Sequence, residues 1–89
     1  MTTARQEMIN QLKLIVDAYT ENKAALEQIN EQTDFIKDLN INSANLVDIV
    51  LDVEQEFDIE IDNTSMERML TVGASIAVIE EKLAAKNQN

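Results

Sequence analysis

Ser43 is the residue of this 89-residue chain whose type and place suggest chemistry. It opens a stretch, residues 43–57, in which Leu46, Ile49, Val50, Val53 and Phe57 return at helical spacing. A hydroxyl at a helix start lies among unpaired N–H groups and a partial positive charge, which suits a phosphate ester. The same position suits a plain helix cap, and Ser43 taken in isolation reads as one. No partner for a catalytic serine exists. The chain has neither His nor Cys, and its one glycine, Gly73, cannot build a phosphate-cradling loop. Acids alternate along Asp58-Ile59-Glu60-Ile61-Asp62 as in a calcium loop. Yet Asn63 stands where such a loop turns on glycine, and Met69 where it closes with a bidentate glutamate. No catalytic or metal-ligating set is expected, so the chain reads as a non-enzyme.

The elements that must hold Ser43 are helices. Apolar residues make up 45% of the chain, proline is absent, and little else punctuates a sheet. An all-α fold is expected: a small bundle of three main helices plus one short helix, in a single domain over residues 1–89. The first helix spans residues 4–19, with Met8, Leu12, Ile15 and Tyr19 inward, flanked by Ile9 and Val16. Thr3 and Gln6 could cap it as a box. A long connection over residues 20–42 carries a helical turn near Ala24-Ala25-Leu26 and Ile29, and anchors itself through Phe35, Leu39 and Ile41. Such length is unusual in a small domain and points to function. After the helix at 43–57, a short one covers 65–70. The last covers 73–84, with Val72, Ile76, Ile79 and Leu83 inward and a fraying tail from Lys86.

The helix at 43–57 carries a second apolar strip, Ala44, Val47 and Leu51, away from its core face and beside Asp48, Asp52 and Gln55. Scattered surface hydrophobes are common, but a strip beside acids next to Ser43 also suits a docking partner. Net charge is −10, from 17 acidic and 7 basic residues, and no basic residue falls between Lys37 and Arg68. This charge disfavours nucleic acid and anionic membrane surfaces. It serves either solubility or the steering of basic partners. No run approaches the roughly 18 apolar residues of a membrane span, and the first residues lack a leader's basic and apolar regions. A cytoplasmic monomer is expected.

The run Phe35-Ile36-Lys37-Asp38-Leu39-Asn40-Ile41-Asn42-Ser43-Ala44 resembles the acyl carrier protein family. That family's pattern is an aromatic residue, two variable positions, Asp-Leu, three more residues, and then the modified serine opening an acidic helix. The likeness continues through Glu54-Gln55-Glu56-Phe57, Glu60-Ile61 and Thr71-Val72, covering about residues 34–83. It implies that a phosphopantetheinyl transferase moves 4′-phosphopantetheine from coenzyme A onto Ser43, next to Asn42. The arm's thiol then carries acyl thioesters between enzymes of fatty-acid, polyketide or related lipid synthesis. It further implies partner contacts at Ala44, Val47, Asp48, Leu51, Asp52 and Gln55. The partners would be acyl-loading, synthase or acyltransferase enzymes with basic docking patches. An acyl-chain pocket would be lined by Phe35, Leu39, Leu46, Val53, Ile61, Met66 and Met69. The chain departs from the family where Asn42 replaces the usual Asp, Ala44 the usual Leu, and Asp52 a small neutral residue. These departures suit a specialised carrier. Two alternatives are an aminoacyl or peptidyl carrier and an unmodified helical interaction protein.

Overall fold

A computed structural model describes residues 4–86. Apolar residues three and four apart draw the chain into helices whose inner stripes share one core. They are α1 (Ala4–Asp17), α2 (Lys23–Glu27), α3 (Asn45–Phe57), α4 (Asn63–Arg68) and α5 (Val72–Lys86). Three longer helices and two short ones make the all-α bundle. Helix α1 packs on α3 and α5, and α4 lies against α5. The centre holds Leu12 and Val16 from α1, Ile49 and Val53 from α3, and Val72, Ile76, Val78 and Ile79 from α5. Phe35, Leu39 and Ile41 of the connection are buried among them, as the sequence suggests.

The element ends differ from the sequence-based bounds, and side chains bonding to backbone explain most of the differences. Helix α1 stops at Asp17 rather than at residue 19, because the N–H groups of Tyr19 and Thr20 both turn back onto Val16 O, at 2.9 and 3.0 Å. The Thr20 hydroxyl donates to Leu39 O and accepts from Asn22 N–H, an alternative to continued helix. The inward stripe of α1 is Ile9, Leu12 and Val16, with Met8, Ile15 and Tyr19 only half-buried. Thr3, the other half of the expected capping box, lies outside the described residues. In the connection, the expected turn is a short helix, α2, capped by Asn22 Oδ1 accepting from Ala25 N–H at 3.2 Å.

Helix α4 starts and ends earlier than residues 65–70. Asp62 caps it by accepting from Ser65 N–H at 2.7 Å, and the chain leaves the helix at Met69 to form a bridge between Asp34 and Thr71. The Thr71 hydroxyl then caps α5 by accepting from Ala74 N–H at 3.1 Å. Helix α5 runs past residue 84 because Lys86 is held, its Nζ donating to Asp58 O at 2.8 Å and pairing with Asp58 Oδ2 at 2.7 Å. Lys86, expected in a fraying tail, is therefore part of the helix, and the rest of that expected tail lies outside the described residues. Among the described residues, no helix is long and apolar enough to cross a membrane.

Candidate functional site

The loop before Ser43 is built on two aspartates. Asp34 Oδ1 accepts from the N–H groups of Ile36 and Lys37, each at 2.8 Å, and Asp38 Oδ2 accepts from Asp34 N–H at 2.8 Å. Asp34 O accepts from Asp38 and Leu39 N–H. This knot turns Phe35 and Leu39 into the core, and Phe35 O then receives Ile41 N–H at 3.0 Å. Asn40 takes a left-handed φ of 54°, which asparagine tolerates better than most residues.

The N-cap of α3 is Ala44, which has no side-chain cap, and the chain is turned into the helix by Asn42 rather than by Ser43. The Asn42 carbonyl accepts from Asn45 N–H at 2.8 Å and its Oδ1 from Ala44 N–H at 2.9 Å, an Asx-type turn leading into α3. This is why the regular helix begins at Asn45 and not at residue 43. Ser43 lies in that lead-in turn, exposed, and its hydroxyl has no hydrogen-bond partner among the described residues. The arrangement offers a solvent-facing alcohol at the positive end of a 13-residue helix.

Beside it, Ala44, Val47 and Leu51 are exposed, the last two at 49%, and Asp48 and Gln55 are exposed with them. Asp52 is different. It is half-buried and accepts from the Tyr19 hydroxyl at 2.7 Å, tying α3 to the segment that follows α1. That hydrogen bond, then desolvation, then the charges of Asp52 and Asp48, raise the Tyr19 phenol above its ordinary value. Sequence reasoning missed the pair because no spacing rule links residues 33 apart.

Of the seven expected pocket residues, Phe35, Leu39, Val53 and Met69 are buried in the core, while Leu46, Ile61 and Met66 are half-buried at its edge. They pack into one cluster. An open groove bounded by Leu51, Glu54, Gln55, Asp58 and Lys82 also includes Ile61 of this set. Among the described residues, no group of three or more His, Cys, Asp or Glu is placed to hold a metal ion.

Comparison with known proteins places this geometry. The family model described as the phosphopantetheine attachment site matches residues 20–79. The acyl carrier protein of Thermotoga maritima is 36% identical over 90% of this chain and 96% of its own length. That of Coprothermobacter proteolyticus is 34% identical over 92% and 98%. A solved acyl carrier protein from Enterococcus faecalis superposes with a TM-score of 0.70 at 27% identity, covering 90% of this chain and 99% of its own. The family model and these relatives cover most of the chain: it belongs to the acyl carrier protein family, whose prosthetic group is phosphopantetheine.

Proposed function

We propose that phosphopantetheine is attached through Ser43 Oγ and that the arm carries acyl groups as thioesters for enzymes of fatty-acid, polyketide or related lipid synthesis. The observation that carries this is the division of labour between neighbours: Asn42 makes the turn into α3, and the Ser43 hydroxyl is left exposed and unengaged. Attachment joins the serine oxygen to phosphorus as the diphosphate of coenzyme A breaks. Adenosine 3′,5′-bisphosphate leaves, and the serine proton goes to a base on the transferase. This chain supplies the orientation: the Asx turn fixes the hydroxyl outward, and the helix dipole favours the phosphodiester anion.

Ala44, Val47 and Leu51 form the apolar centre of the docking face, with Asp48 and Gln55 at its rim, where charge steers association more than it adds affinity. Asp52 contributes by holding the face against Tyr19. Partners are the transferase and acyl-loading, synthase or acyltransferase enzymes with basic patches, met by a monomeric carrier. The acyl chain enters by parting Leu46, Ile61 and Met66, and lies against Phe35, Leu39, Val53 and Met69. Met66 and Met69 yield readily because thioether side chains adapt to irregular space. The Asn42-Ser43-Ala44 motif, lacking the usual charge and the usual leucine, suits a specialised carrier.

Intact-mass measurement after incubation with coenzyme A and a broad-specificity transferase tests the assignment. The expected result is one added phosphopantetheine, lost in Ser43→Ala. An unmodified native chain, or full modification of Ser43→Ala, removes it.

A further inference from the structure

Ser75 on α5 is fully buried, and its hydroxyl is the one buried side-chain polar atom found without a partner among the described residues. The other buried hydroxyl residues are engaged. Thr20 donates to Leu39 O, Thr33 Oγ1 accepts from Asn30 N–H at 2.9 Å, and Ser65 Oγ lies 3.5 Å from an Arg68 nitrogen. An unpaired hydroxyl in an apolar interior is unfavourable, and alanine would fill the same place without that penalty. The oxygen therefore calls for a function.

Its surroundings indicate one. Ser75, Val78 and Lys82 fall on one flank of α5 at helical spacing, below the capping Thr71. Lys82, at the far end of that flank, pairs with Asp62 at the head of α4 at 3.6 Å. At the near end, Phe35 N–H donates to Leu70 O and Val72 N–H to Thr33 O, each at 3.0 Å, lacing the start of α5 to the connection. Ser75 thus falls on the flank of α5 that runs from the connection, which carries Phe35, towards the head of α4, the helix of Met66; both residues belong to the set assigned above to the acyl chain.

We infer that Ser75 selects cargo: its hydroxyl pairs with an oxygen on the acyl chain, so the carrier shelters hydroxy- or keto-acyl chains in preference to plain saturated ones. A hydroxyl can donate to a ketone and can donate to or accept from an alcohol, so both classes are matched. A site holding a buried polar group discriminates against an analogue that leaves it unpaired. This inference rests on the proposed entry of the chain into the core.

The test loads the native carrier and Ser75→Ala with octanoyl, with hydroxyoctanoyl chains bearing the hydroxyl near the thioester, at mid-chain or near the tail, and with their keto counterparts. Thioester cleavage by hydroxylamine is then timed, each rate being taken relative to the same acyl-pantetheine free in solution. At least one oxygenated chain is expected to be protected about fivefold better than octanoyl in the native carrier, equivalent to about 1 kcal/mol. In Ser75→Ala that preference disappears while octanoyl protection persists. Equal protection of all chains in the native carrier, or an unchanged preference in Ser75→Ala, overturns the inference. Failure of the underlying readings looks different: no mass gained at Ser43 if attachment is wrong, and octanoyl as labile as free thioester in both proteins if the chain does not enter the core.

Discussion

At the scale of single residues, the one glycine of the chain shows how a missing carbon positions an element. Gly73, one residue into α5, donates its N–H to Glu31 O at 2.8 Å, and a Cβ there would stand 2.8 Å from that oxygen and 3.3 Å from Glu31 Cβ. Two effects compete when Gly73 becomes alanine. Helix propensity favours alanine by about 1 kcal/mol, while overpacking costs about 1–3 kcal/mol. The obstructing atom is backbone and is bonded to Gly73 itself, so it cannot retreat without losing the hydrogen bond. The clash should win. Gly73→Ala is expected to lower the urea midpoint by a net amount of about 1 kcal/mol with an unchanged slope. A more stable variant would mean that Glu31 and α5 are not so close.

At the scale of elements, the hydrogen bond from Tyr19 to Asp52 ties the segment just after α1 to the middle of α3. The neutral phenol is favoured in the fold, so Tyr19 titrates above its ordinary value, chiefly because of that bond. A group whose folded value is raised contributes stability in full below the unfolded value, about pH 10 for tyrosine. That contribution is lost as pH rises through the folded value. The chain has a single tyrosine, so near-ultraviolet absorbance reads this titration directly. Asp52→Asn should move the midpoint down towards that of free tyrosine, and an unmoved midpoint would contradict the tether. What sequence could reveal follows the same division between local and distant contacts. The stripes of α3 and α5 were legible because burial repeats every turn, and the Ser43 region because its Asp-Leu loop is short and contiguous. Helix ends were not, since α1 stops where Thr20 finds Leu39 O, 19 residues away. Asp52 read as a surface acid, and Ser75 did not stand out, because their settings depend on other helices.

At the scale of the whole molecule, electrostatics should decide how stability responds to salt and acid. Net charge is −10 at pH 7, and α3 carries Asp48, Asp52, Glu54 and Glu56 with no cation. Ion pairs do form: Arg5 with Glu31 and Glu80, Lys23 with Asp17, Arg68 with Glu81, Lys82 with Asp62, and Lys86 with Asp58. They are largely exposed, and exposed pairs contribute little. The molecule measures 41 × 34 × 19 Å. At about 0.01 M salt the screening length is about 30 Å, so acids repel one another across the fold, whereas at about 0.15 M it shrinks to about 8 Å. Unpaired repulsions outnumber attractions, so added salt should raise the melting temperature. Two carboxylates set the response to acid. Asp58, through its hydrogen bond to Lys86, and Asp62, through the backbone N–H of Ser65, are both held below the ordinary value. Groups with lowered folded values contribute stability above the unfolded value, about pH 3.9 for aspartate, and lose it as pH falls through the folded value. The melting temperature should therefore rise with added salt at pH 7 and fall as the pH drops below about 4. Melting curves at two salt concentrations across this range check it. A melting temperature that salt lowers at pH 7 would show that the ion pairs, and not the unpaired acids, govern the fold's charge balance.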